Sequence, residues 1–373
     1  MDNNRPERVA QIIGKWLGGG VEAVVMNYYR HIDRTKIQFD FICDNDSTNI
    51  PYEEIEKLGG KVILIPPYQK VFKYHKELKR VLKEENYKIV HSHINTLSVF
   101  SLFAAKKAGV PIRIAHSHST TNKKEWKKNL LKLILRPFTK VFATSYMACT
   151  EHAGKWMFGV KEFDKNKVFI LNNAIDLDKY SFNLKIREKR RKELKIDEKT
   201  CVIGHVGRFV EQKNHSFLID VFNEYSKINQ NCLLLLVGQG PLETEIKEKV
   251  KLLNLENKVI FLGQRNDVNE LYQVMDIFVF PSIYEGLGMV AVEAQVSGCK
   301  CIVSTEVPKI AKICENIWFE DLNKTEDWIA RLSSIDYSKR KDYMIEAQKS
   351  GYDIVTEAEK LENKYFDELK LLK

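Results

Sequence analysis

The sequence predicts an α/β protein with two domains, each built on a parallel β-sheet that is flanked by helices. Its 373 residues exceed one ordinary domain and fit two domains of roughly 150 to 180 residues. Short apolar runs alternate with helical stretches in both halves, a pattern typical of parallel sheets with helical crossovers. A hydrophobic content of 44% provides for two separate cores.

The composition argues against several classes of protein. No run approaches the ~18 apolar residues of a membrane span, and the polar start MDNNRPERVAQII predicts no secretory signal. The seven cysteines are odd in number and lack metal-type spacing, so we predict reduced thiols in a cytoplasmic protein. The net charge of +9 indicates an anionic partner. We do not expect a nucleic acid, because no recognised binding motif accompanies the charge.

The first predicted strand, residues 9–13, leads to a glycine triplet at residues 18–20. Gly19 and Gly20 then open a predicted helix with apolar residues on one side. Glycines at a helix start let a phosphate approach the free N–H groups of the first turn. The triplet is not the Gly-x-Gly-x-x-Gly fingerprint of dinucleotide sites, so a tight turn that packs the helix on the sheet is the alternative interpretation.

Histidines cluster at the ends of two later strands. His91 and His93 belong to one His-Ser-His triplet, and His116 and His118 belong to another. Ligands bind at the carboxyl ends of parallel strands, so these triplets are candidate site residues. We expect one histidine of each triplet to point into the sheet, and we disfavour a zinc site because no carboxylate or cysteine completes the ligand set. The later strands of this half are predicted at 39–43, 61–65, 89–91, 112–115, 141–143 and 168–171.

Residues 123–140, KKEWKKNLLKLILRPFTK, combine basic and apolar side chains. As a helix, this segment would be amphipathic, and such helices lie on anionic membrane surfaces. A domain helix with a solvated basic face is an equally good interpretation. The basic residues are Lys123, Lys124, Lys127, Lys128, Lys132, Arg136 and Lys140.

A charged stretch separates the two halves. Residues 172–176, NNAID, close the first half, and KIREKRRKELK at residues 185–195 has no apolar face, so we predict a linker at residues 177–198. A new strand begins at residue 201, and the stretch from residue 337 onward is predicted to be helical. The other strands of this half are predicted at 233–237, 259–262, 277–280 and 301–304.

Two basic residues follow the first strand of the second half. Arg208 comes just after the predicted end of that strand, and Lys213 follows in the same loop. Because both lie at the carboxyl edge of the predicted sheet, they would neutralise a diphosphate bound there. Surface charge without a ligand is the alternative interpretation, and it fits Lys213 better than Arg208.

The whole chain is organised around residues 277–304, in which a strand, a glycine loop and a buried helix follow one another. Pro281 ends the strand, and the loop contains Glu285, Gly286 and Gly288. The free N–H groups at the helix start and the positive end of the helix dipole both favour a phosphate.

Two carboxylates, Glu285 and Glu293, bracket this corner. Carboxylates accept hydrogen bonds from hydroxyl groups, so a ligand with a central diphosphate between hydroxyl-rich groups would satisfy the arrangement. A nucleotide sugar is such a ligand. In the alternative interpretation Glu285 is a solvated loop acid, whereas Glu293 stands among apolar residues and needs a partner.

In this order, the motifs resemble family 4 glycosyltransferases of the GT-B fold, closest to the branch of bacterial capsular and exopolysaccharide biosynthesis. The resemblance spans nearly the whole chain. The motifs that carry it are Gly19-Gly20-Val21-Glu22, the two His-Ser-His triplets, NNAID, GHVGRFVEQKNH, LLLVGQGPLE and FPSIYEGLGMVAVEAQVSG.

The resemblance implies two Rossmann-like domains that face each other across a cleft. Residues 1–176 would bind the acceptor, and residues 199–345 would bind the nucleotide-sugar donor. Residues 346–373 would form C-terminal helices that return to the N-terminal domain. After Ser304 the chain lacks the glycine-rich turn of many relatives, so donor contacts are not transferred to that turn.

The resemblance also implies roles for single residues. Glu285 would hold the hydroxyls of the donor sugar, and Glu293 those of the ribose. Arg208 and Lys213 would bind the diphosphate. His118 would lie near the reacting sugar, with His116 the less favoured choice.

Backbone groups complete the implied donor site. Amides of Gly286, Leu287, Gly288 and Met289 would assist the two cations, and the loop of Gly19 and Gly20 would close over the phosphates. Leu287 replaces the more familiar Phe, which would alter the sugar pocket. No metal and no cofactor is expected, since two cations and a helix N-terminus neutralise the diphosphate.

These inferences predict a cytoplasmic retaining glycosyltransferase, peripheral on the inner face of the membrane. It would move a sugar from a nucleotide donor, a UDP-sugar by the resemblance, onto a lipid-linked saccharide of a surface polysaccharide. Another GT-B enzyme, an epimerase or a phosphorylase, is a second interpretation. A nucleotide-sugar-binding regulator without transferase activity is a third.

Overall fold

The computed structural model describes residues 5–118 and 126–372, with the side chains of residues 126–128 excepted. The chain forms two units. The first comprises Met1–Ala174 and Asp353–Lys373, and the second comprises Ile175–Tyr352. Each unit is built on a sheet in which every described pairing is parallel, so the predicted α/β class is confirmed.

Thirteen strands are present in the described residues. In chain order they are β1 (Glu7–Gly14), β2 (Ile37–Asp44), β3 (Lys61–Ile65), β4 (Ile89–Ser92), β5 (Ile112–Ser117), β6 (Ser145–Ala148), β7 (Val168–Ile170), β8 (Cys201–Val206), β9 (Cys232–Val237), β10 (Val259–Phe261), β11 (Ile277–Phe280), β12 (Lys300–Ser304) and β13 (Ile317–Glu320).

The helices connect these strands as crossovers, as parallel pairing requires. They are α1 (Gly20–His31), α2 (Tyr52–Lys57), α3 (Val71–Glu84), α4 (Ser98–Ala108), α5 (Trp126–Phe142), α6 (Glu151–Phe158), α7 (Val160–Asp164), α8 (Leu177–Tyr180), α9 (Leu184–Glu193), α10 (His215–Ile228), α11 (Glu243–Leu252), α12 (Val268–Val274), α13 (Met289–Val296), α14 (Thr325–Ser334), α15 (Met344–Lys349) and α16 (Ile354–Lys370). Short 3₁₀ turns lie at Asn95–Leu97, Glu211–Lys213 and Lys309–Ala311.

The sheet of the first unit has the strand order β3-β2-β1-β4-β5-β6-β7. Successive residues of a strand face opposite sides, so Val9 and Ala10 of β1 enter different apolar clusters. One cluster packs the sheet against α1 and α16, and the other packs it against α3 and α4. Both faces are therefore covered, as expected for a buried parallel sheet.

The sheet of the second unit repeats this design with the order β10-β9-β8-β11-β12-β13. One apolar cluster joins β8 and β11 to α12 and α13, and the other joins the opposite face to α10, α11 and α14. Both units thus have the Rossmann-like order of the GT-B fold, in which the first strand lies beside the fourth. Ligands bind where the order reverses, between β1 and β4 or between β8 and β11.

The prediction of a strand at residues 141–143 is wrong. The helix α5 continues through Phe142, and β6 begins only at Ser145. The ring of Phe142 packs on Phe103 of α4, with centroids 5.2 Å apart, so the apolar end of this segment is a helical packing contact.

The linker predicted at residues 177–198 is also wrong, because α8 and α9 occupy most of it as part of the second unit. Arg191 of α9 is only 3% exposed and lies 3.3 Å from Asp276. Arg187, one turn earlier, is 2.6 Å from the same carboxylate, which also accepts a hydrogen bond from the N–H of Val202. The helix is therefore anchored by ion pairs with a buried aspartate, which an apolar-face criterion misses.

The C-terminal segment divides between the two units. The helix α15 lies in the second unit, whereas α16 belongs to the first. Tyr365 of α16 is fully buried in the first unit, and the buried Glu357 accepts a hydrogen bond from the N–H of Asn172. The return therefore begins at Asp353 and not at residue 346.

Candidate active site

The loop after β8 holds Arg208 at the carboxyl edge of the second sheet. A close contact with the loop after β9 shapes this turn. Gly238 has φ of +135°, and a β-carbon there would lie 2.1 Å from the carbonyl oxygen of Gly207, so only glycine allows the two loops to meet. The N–H of Phe209 donates to the carbonyl of Gln239 at 3.2 Å. Arg208 is exposed in this turn.

Lys213 and Glu285 form an ion pair at the carboxyl edge of the second sheet. The Lys213 Nζ lies 2.6 Å from Glu285 Oε1, and their side chains are 18% and 8% exposed. The ammonium group also lies 4.7 Å from the ring centroid of Phe280, the last residue of β11. Lys213, which is predicted to bind the diphosphate, and Glu285, which is predicted to bind the sugar hydroxyls, are therefore in direct contact.

Gln212 is a site residue that the sequence analysis missed. Its side-chain amide donates to the carbonyl of Tyr284 at 2.9 Å and to Glu285 Oε1 at 3.3 Å. Its own backbone carbonyl accepts from the N–H of Ile283 at 2.8 Å. Gln212 thus holds the loop that carries Glu285 in place. In the sequence, its position next to Lys213 is the one feature that indicates a role in the site.

The helix α13 begins at Met289 behind a glycine in the left-handed region. Gly288 has φ of +83°, and a β-carbon there would lie 3.1 Å from Val307 Cγ1. No side chain of the described residues caps this helix start, so its first N–H groups are available to an anion. Leu287 is buried, whereas Gly286 is exposed and its missing β-carbon faces open space.

Glu293 of α13 lies among apolar residues, and its carboxylate has a hydrogen-bond partner there, as a buried charge requires. The hydroxyl of the fully buried Tyr272 donates to Glu293 Oε2 at 2.9 Å. Burial raises the pKa of Glu293 to about 7, and the hydrogen bond from Tyr272 opposes that rise. Glu293 therefore exchanges its proton near neutral pH. Tyr272 could not be identified from the sequence, because it lies on a different helix.

The structure assembles only part of the predicted donor site by direct contact. Lys213, Glu285 and the start of α13 meet after β8 and β11, where the strand order reverses. Among the hydrogen bonds and ion pairs of the described residues, none involves the Arg208 side chain. Arg208 is thus at the correct edge but free to move toward a ligand.

In the first unit, a carboxylate occupies the helix start at Gly19 and Gly20. Glu22 is 8% exposed, and its Oε1 accepts the N–H of Leu17 at 3.0 Å. A β-carbon on Gly19 would lie 3.0 Å from Glu22 Oε2, whereas one on Gly20 would meet nothing within 4 Å. A phosphate bound at this loop, as predicted, would therefore lie beside a negative charge.

All four histidines of the two triplets lie on the same face of the first sheet. Residues two apart on a strand share a face, so both members of each triplet point the same way. The expectation that only one histidine of each triplet points into the sheet is therefore wrong. His91 Nε2 lies 3.0 Å from His116 Nδ1, and His93 Nδ1 lies 2.9 Å from His118 Nε2.

Hydrogen bonds with Gln11 and Tyr365 indicate which ring nitrogens of this histidine cluster carry a proton. The amide oxygen of Gln11 lies 2.7 Å from His93 Nε2, and an oxygen only accepts, so that nitrogen carries the proton. His93 Nδ1 then accepts from His118 Nε2–H, which leaves His118 Nδ1 as a bare acceptor. On the other branch, Gln11 Nε2 donates to the Tyr365 hydroxyl, which lies 2.6 Å from His91 Nδ1.

Among the described residues, two ring nitrogens of the cluster have no hydrogen-bond partner, His116 Nε2 and His118 Nδ1, and the protonation just given makes His118 Nδ1 an acceptor. Burial lowers the pKa of His118 to about 3, so its ring is neutral at pH 7. His118 is 8% exposed and His116 is 1% exposed, so His118 is the more accessible of the two candidates. Its backbone N–H is held by Asn95 Oδ1 at 2.7 Å.

Ring nitrogens of His91, His93 and His116 lie within 4.8 Å of one another, which is close enough for a metal ion. Both ring nitrogens of His91 and of His93, however, already take part in hydrogen bonds, whereas His116 Nε2 has no partner among the described residues. A metal would have to replace those hydrogen bonds. The arrangement therefore favours a proton network over a metal site.

Two family models match successive parts of the chain. The model described as Glycosyltransferase Family 4 matches residues 18–179, and that described as Glycosyl transferases group 1 matches residues 186–320. The putative glycosyltransferase EpsF of Bacillus subtilis is 34% identical over 361 residues, covering 94% of each chain.

Two more proteins resemble the chain over nearly its whole length. An Escherichia coli enzyme, the UDP-Gal:α-D-GlcNAc-diphosphoundecaprenol α-1,3-galactosyltransferase, is 24% identical and covers 93% of this chain and 94% of its own. A crystal structure of Anabaena HepE with UDP and glucose has a TM-score of 0.78 at 18% identity, covering 97% of this chain and 100% of HepE. The latter likeness confirms the GT-B fold.

The buried histidines predict loss of stability in acid. Burial lowers the pKa of each below the ordinary 6.5, so the unfolded chain binds more protons as the pH falls. Their stabilisation is complete above pH 6.5 and declines below it, by about 1.4 kcal/mol per pH unit for each histidine until its folded pKa is reached. The histidines concerned are His91, His93, His116, His118, His205 and His215.

Urea unfolding at pH 7.5, 6.5 and 5.5 measures this loss. We expect His118→Gln to reduce the slope of stability against pH, and His152→Gln, which changes an exposed histidine, to retain the wild-type slope. Equal urea midpoints at pH 7.5 and 5.5 would contradict the prediction.

Proposed function

The chain belongs to glycosyltransferase family 4, and on that premise we propose that it is a retaining enzyme acting on a UDP-sugar. It transfers the sugar to a lipid-linked saccharide in the biosynthesis of a surface polysaccharide, a capsule or an exopolysaccharide. The observation that carries this proposal is the contact of Lys213 with Glu285 beside the uncapped start of α13. A cation, a hydroxyl acceptor and free N–H groups converge there.

The donor's diphosphate is bound by positive charge from three sources. Arg208 is exposed and available, Lys213 lies at the same strand ends, and the N–H groups of Gly286 to Met289 open toward the anion. Together they neutralise the diphosphate, so the proposed reaction uses no metal ion and no cofactor. Binding redirects Lys213 partly from Glu285 to phosphate, which leaves Glu285 to accept hydrogen bonds from the sugar.

The transfer itself exchanges one C–O bond for another on the same face of the sugar. The bond between the anomeric carbon and the diphosphate breaks, and UDP departs with the electron pair. A diphosphate oxygen takes the proton of the acceptor hydroxyl, whose oxygen forms the new glycosidic bond. Arg208 and Lys213 stabilise the charge that develops on the diphosphate, and no side chain becomes covalently attached.

Two of the related proteins support the choice of substrates. The E. coli galactosyltransferase is named for a UDP-Gal donor and a diphosphoundecaprenol-linked acceptor, and HepE was crystallised with UDP and glucose. The neutral ring of His118 adds an acceptor for a sugar hydroxyl, because its Nδ1 carries a lone pair that accepts no hydrogen bond from the described residues.

Contact with an anionic membrane surface is proposed through α5. Among the described residues, no helix is both long and apolar enough to cross a bilayer. In α5, however, large apolar side chains are exposed next to Arg136 and Lys140, which suits a helix lying in the interface on the inner face of the membrane. Lys123 and Lys124 lie outside the described residues, and the side chains of Lys127 and Lys128 do too. The exposed apolar residues are Leu130, Leu131, Leu133, Ile134, Phe138 and Val141.

The first prediction concerns the two proposed diphosphate ligands. UDP at a hundredfold excess over its dissociation constant adds roughly 2.7 kcal/mol, and we expect a rise of several degrees in the melting temperature. Arg208→Ala and Lys213→Ala should each weaken UDP binding about tenfold or more, because each removes a charge-assisted contact. Lys227→Ala is the matched control, since Lys227 is an exposed lysine of the same unit paired with Glu224.

Product formation from UDP-sugars is measured on the same variants, with the anomeric configuration read by NMR. Transfer should fall about 100-fold or more in Lys213→Ala. UDP binding without any product would favour a binding regulator, an inverted product would contradict retention, and unchanged UDP binding in both variants would contradict the proposed site.

The second prediction follows from the titration of Glu293. Its pKa of about 7 means that it is mainly a carboxylate at pH 8 and mainly protonated at pH 6. If the carboxylate accepts hydrogen bonds from the ribose, UDP should bind more tightly at pH 8, by up to about tenfold per pH unit below 7. Calorimetric titration with UDP checks this.

Glu293→Gln is the reference, because UDP's own titration affects both proteins equally. We expect the advantage of the wild type over the variant to be large at pH 8 and to disappear at pH 6. Tyr272→Phe should shift the transition to higher pH, since the Tyr272 hydrogen bond lowers the pKa of Glu293. An affinity ratio that does not vary with pH would rule out this role.

The third prediction concerns α5. Leu130→Glu combined with Ile134→Glu should reduce co-sedimentation with vesicles of phosphatidylcholine and phosphatidylglycerol about tenfold or more, because both side chains are over half exposed. Leu252→Glu is the control, an 81% exposed leucine on α11. Wild-type protein that stays in the supernatant, or equal losses for control and test variants, would defeat the membrane proposal.

A further inference from the structure

The first unit contains a pocket of about 530 Å³ whose lining includes none of the single residues predicted for the site. It opens where β1, β2 and β4 end and is closed on one side by the start of α3. A volume in the range of about 300 to 1,000 Å³ is usual for small-molecule sites. Its position at the carboxyl ends of strands, beside the reversal of strand order, is where such sheets bind ligands.

Asp44, the last residue of β2, lines this pocket as a buried carboxyl group without a partner. It is 4% exposed, and its carboxylate takes part in none of the hydrogen bonds and ion pairs of the described residues. The nearest cation, Lys15, is held 2.7 Å from Asp46 instead. Burying an unpaired carboxylate costs free energy, which is recovered when a ligand donates hydrogen bonds to it.

Tyr74 of α3 is a second buried polar group in the same pocket. It is 1% exposed, and among the described residues Ser101 is the one group near enough to its hydroxyl to lower the pKa of Tyr74 by hydrogen bonding, although the geometry of that contact is poor. Burial, followed by the nearby Asp44, raises the pKa of Tyr74, so its hydroxyl remains a donor. One pocket therefore presents an acceptor, the Asp44 carboxylate, that makes no hydrogen bond to the described residues, and a hydroxyl donor, Tyr74.

We propose that this pocket binds the terminal sugar ring of the acceptor saccharide, with Asp44 accepting hydrogen bonds from ring hydroxyls and Tyr74 completing the contact. The inference rests on the proposed transferase function and adds to it the residues that select the acceptor. A neutral polyhydroxylated ring suits the pocket, because its hydroxyls both donate and accept. A phosphate does not, since Glu22, Asp44 and Asp46 outnumber the two lysines, Lys15 and Lys70.

The charges around Asp44 determine how its binding depends on pH. Burial raises the pKa of Asp44 to about 6; Asp46 adds to that rise, and Lys15 opposes it. The carboxylate is the better acceptor, so ring binding should weaken as the pH falls through 6. The groups that face Asp44 across the pocket are Lys15 after β1, Glu22 on α1, Asp46 after β2, Lys70 and Tyr74 near α3, and His93 after β4.

The test uses the full chain and saturation-transfer NMR with methyl α-glycosides of glucose, galactose, N-acetylglucosamine and N-acetylgalactosamine. At pH 7.5 we expect at least one glycoside to bind the wild type. Asp44→Asn should raise its dissociation constant about tenfold or more, and Tyr74→Phe severalfold. Glu84→Gln, which changes an exposed carboxylate on α3, should bind as the wild type does.

Lowering the pH to 5 should weaken glycoside binding in the wild type but not in Asp44→Asn. If no glycoside binds, if Asp44→Asn binds as well as the wild type, or if Glu285→Ala and not Asp44→Asn abolishes binding, the proposal fails. The melting shift with UDP, measured on the same proteins, reports separately on the donor site. A shift with UDP but no glycoside binding overturns this inference alone, whereas absence of both overturns the proposed function as well.

Discussion

The direction of the strands is the constraint on which the rest of the structure depends. Every described strand pairing is parallel, so the carboxyl ends of all strands in a sheet lie at one edge. In both units the order then reverses beside the first strand, which opens a crevice at that edge. Residues far apart in sequence, such as Lys213 and Glu285, meet there because β8 and β11 are neighbours.

Buried polar groups separate into those that are satisfied and those that are not, and the difference indicates where ligands act. The Glu293 carboxylate accepts a hydrogen bond from Tyr272, and the Asp276 carboxylate forms ion pairs with two arginines. Both carboxylates therefore stabilise the second unit, whatever else they do. Among the described residues of the first unit, His118 Nδ1 has no partner, and the Asp44 carboxylate accepts no hydrogen bond. Each group left dry and unpaired costs stability unless a ligand completes it.

The failures of the sequence predictions have a common cause. The helix α9 was taken for a linker because its packed face is made of Arg187 and Arg191 and not of apolar residues. The histidines were expected to alternate, although residues two apart on a strand share a face, and Gln11 and Tyr365 that orient them come from distant parts of the chain. Gln212 was overlooked because its role is visible only once the loop of Glu285 folds against it.

The sequence by itself determined the α/β class, the two-domain plan and the family, because strand and helix periodicity and the glycine and proline positions are local properties of the chain. It also determined the chemistry available at each strand end, from Arg208 to Glu293. Only the tertiary structure decided which of these groups meet, which are neutral at pH 7 and which lack a partner. Burial, hydrogen bonding and pKa depend on neighbours that are distant in sequence, and those neighbours are known only when the sheets have formed.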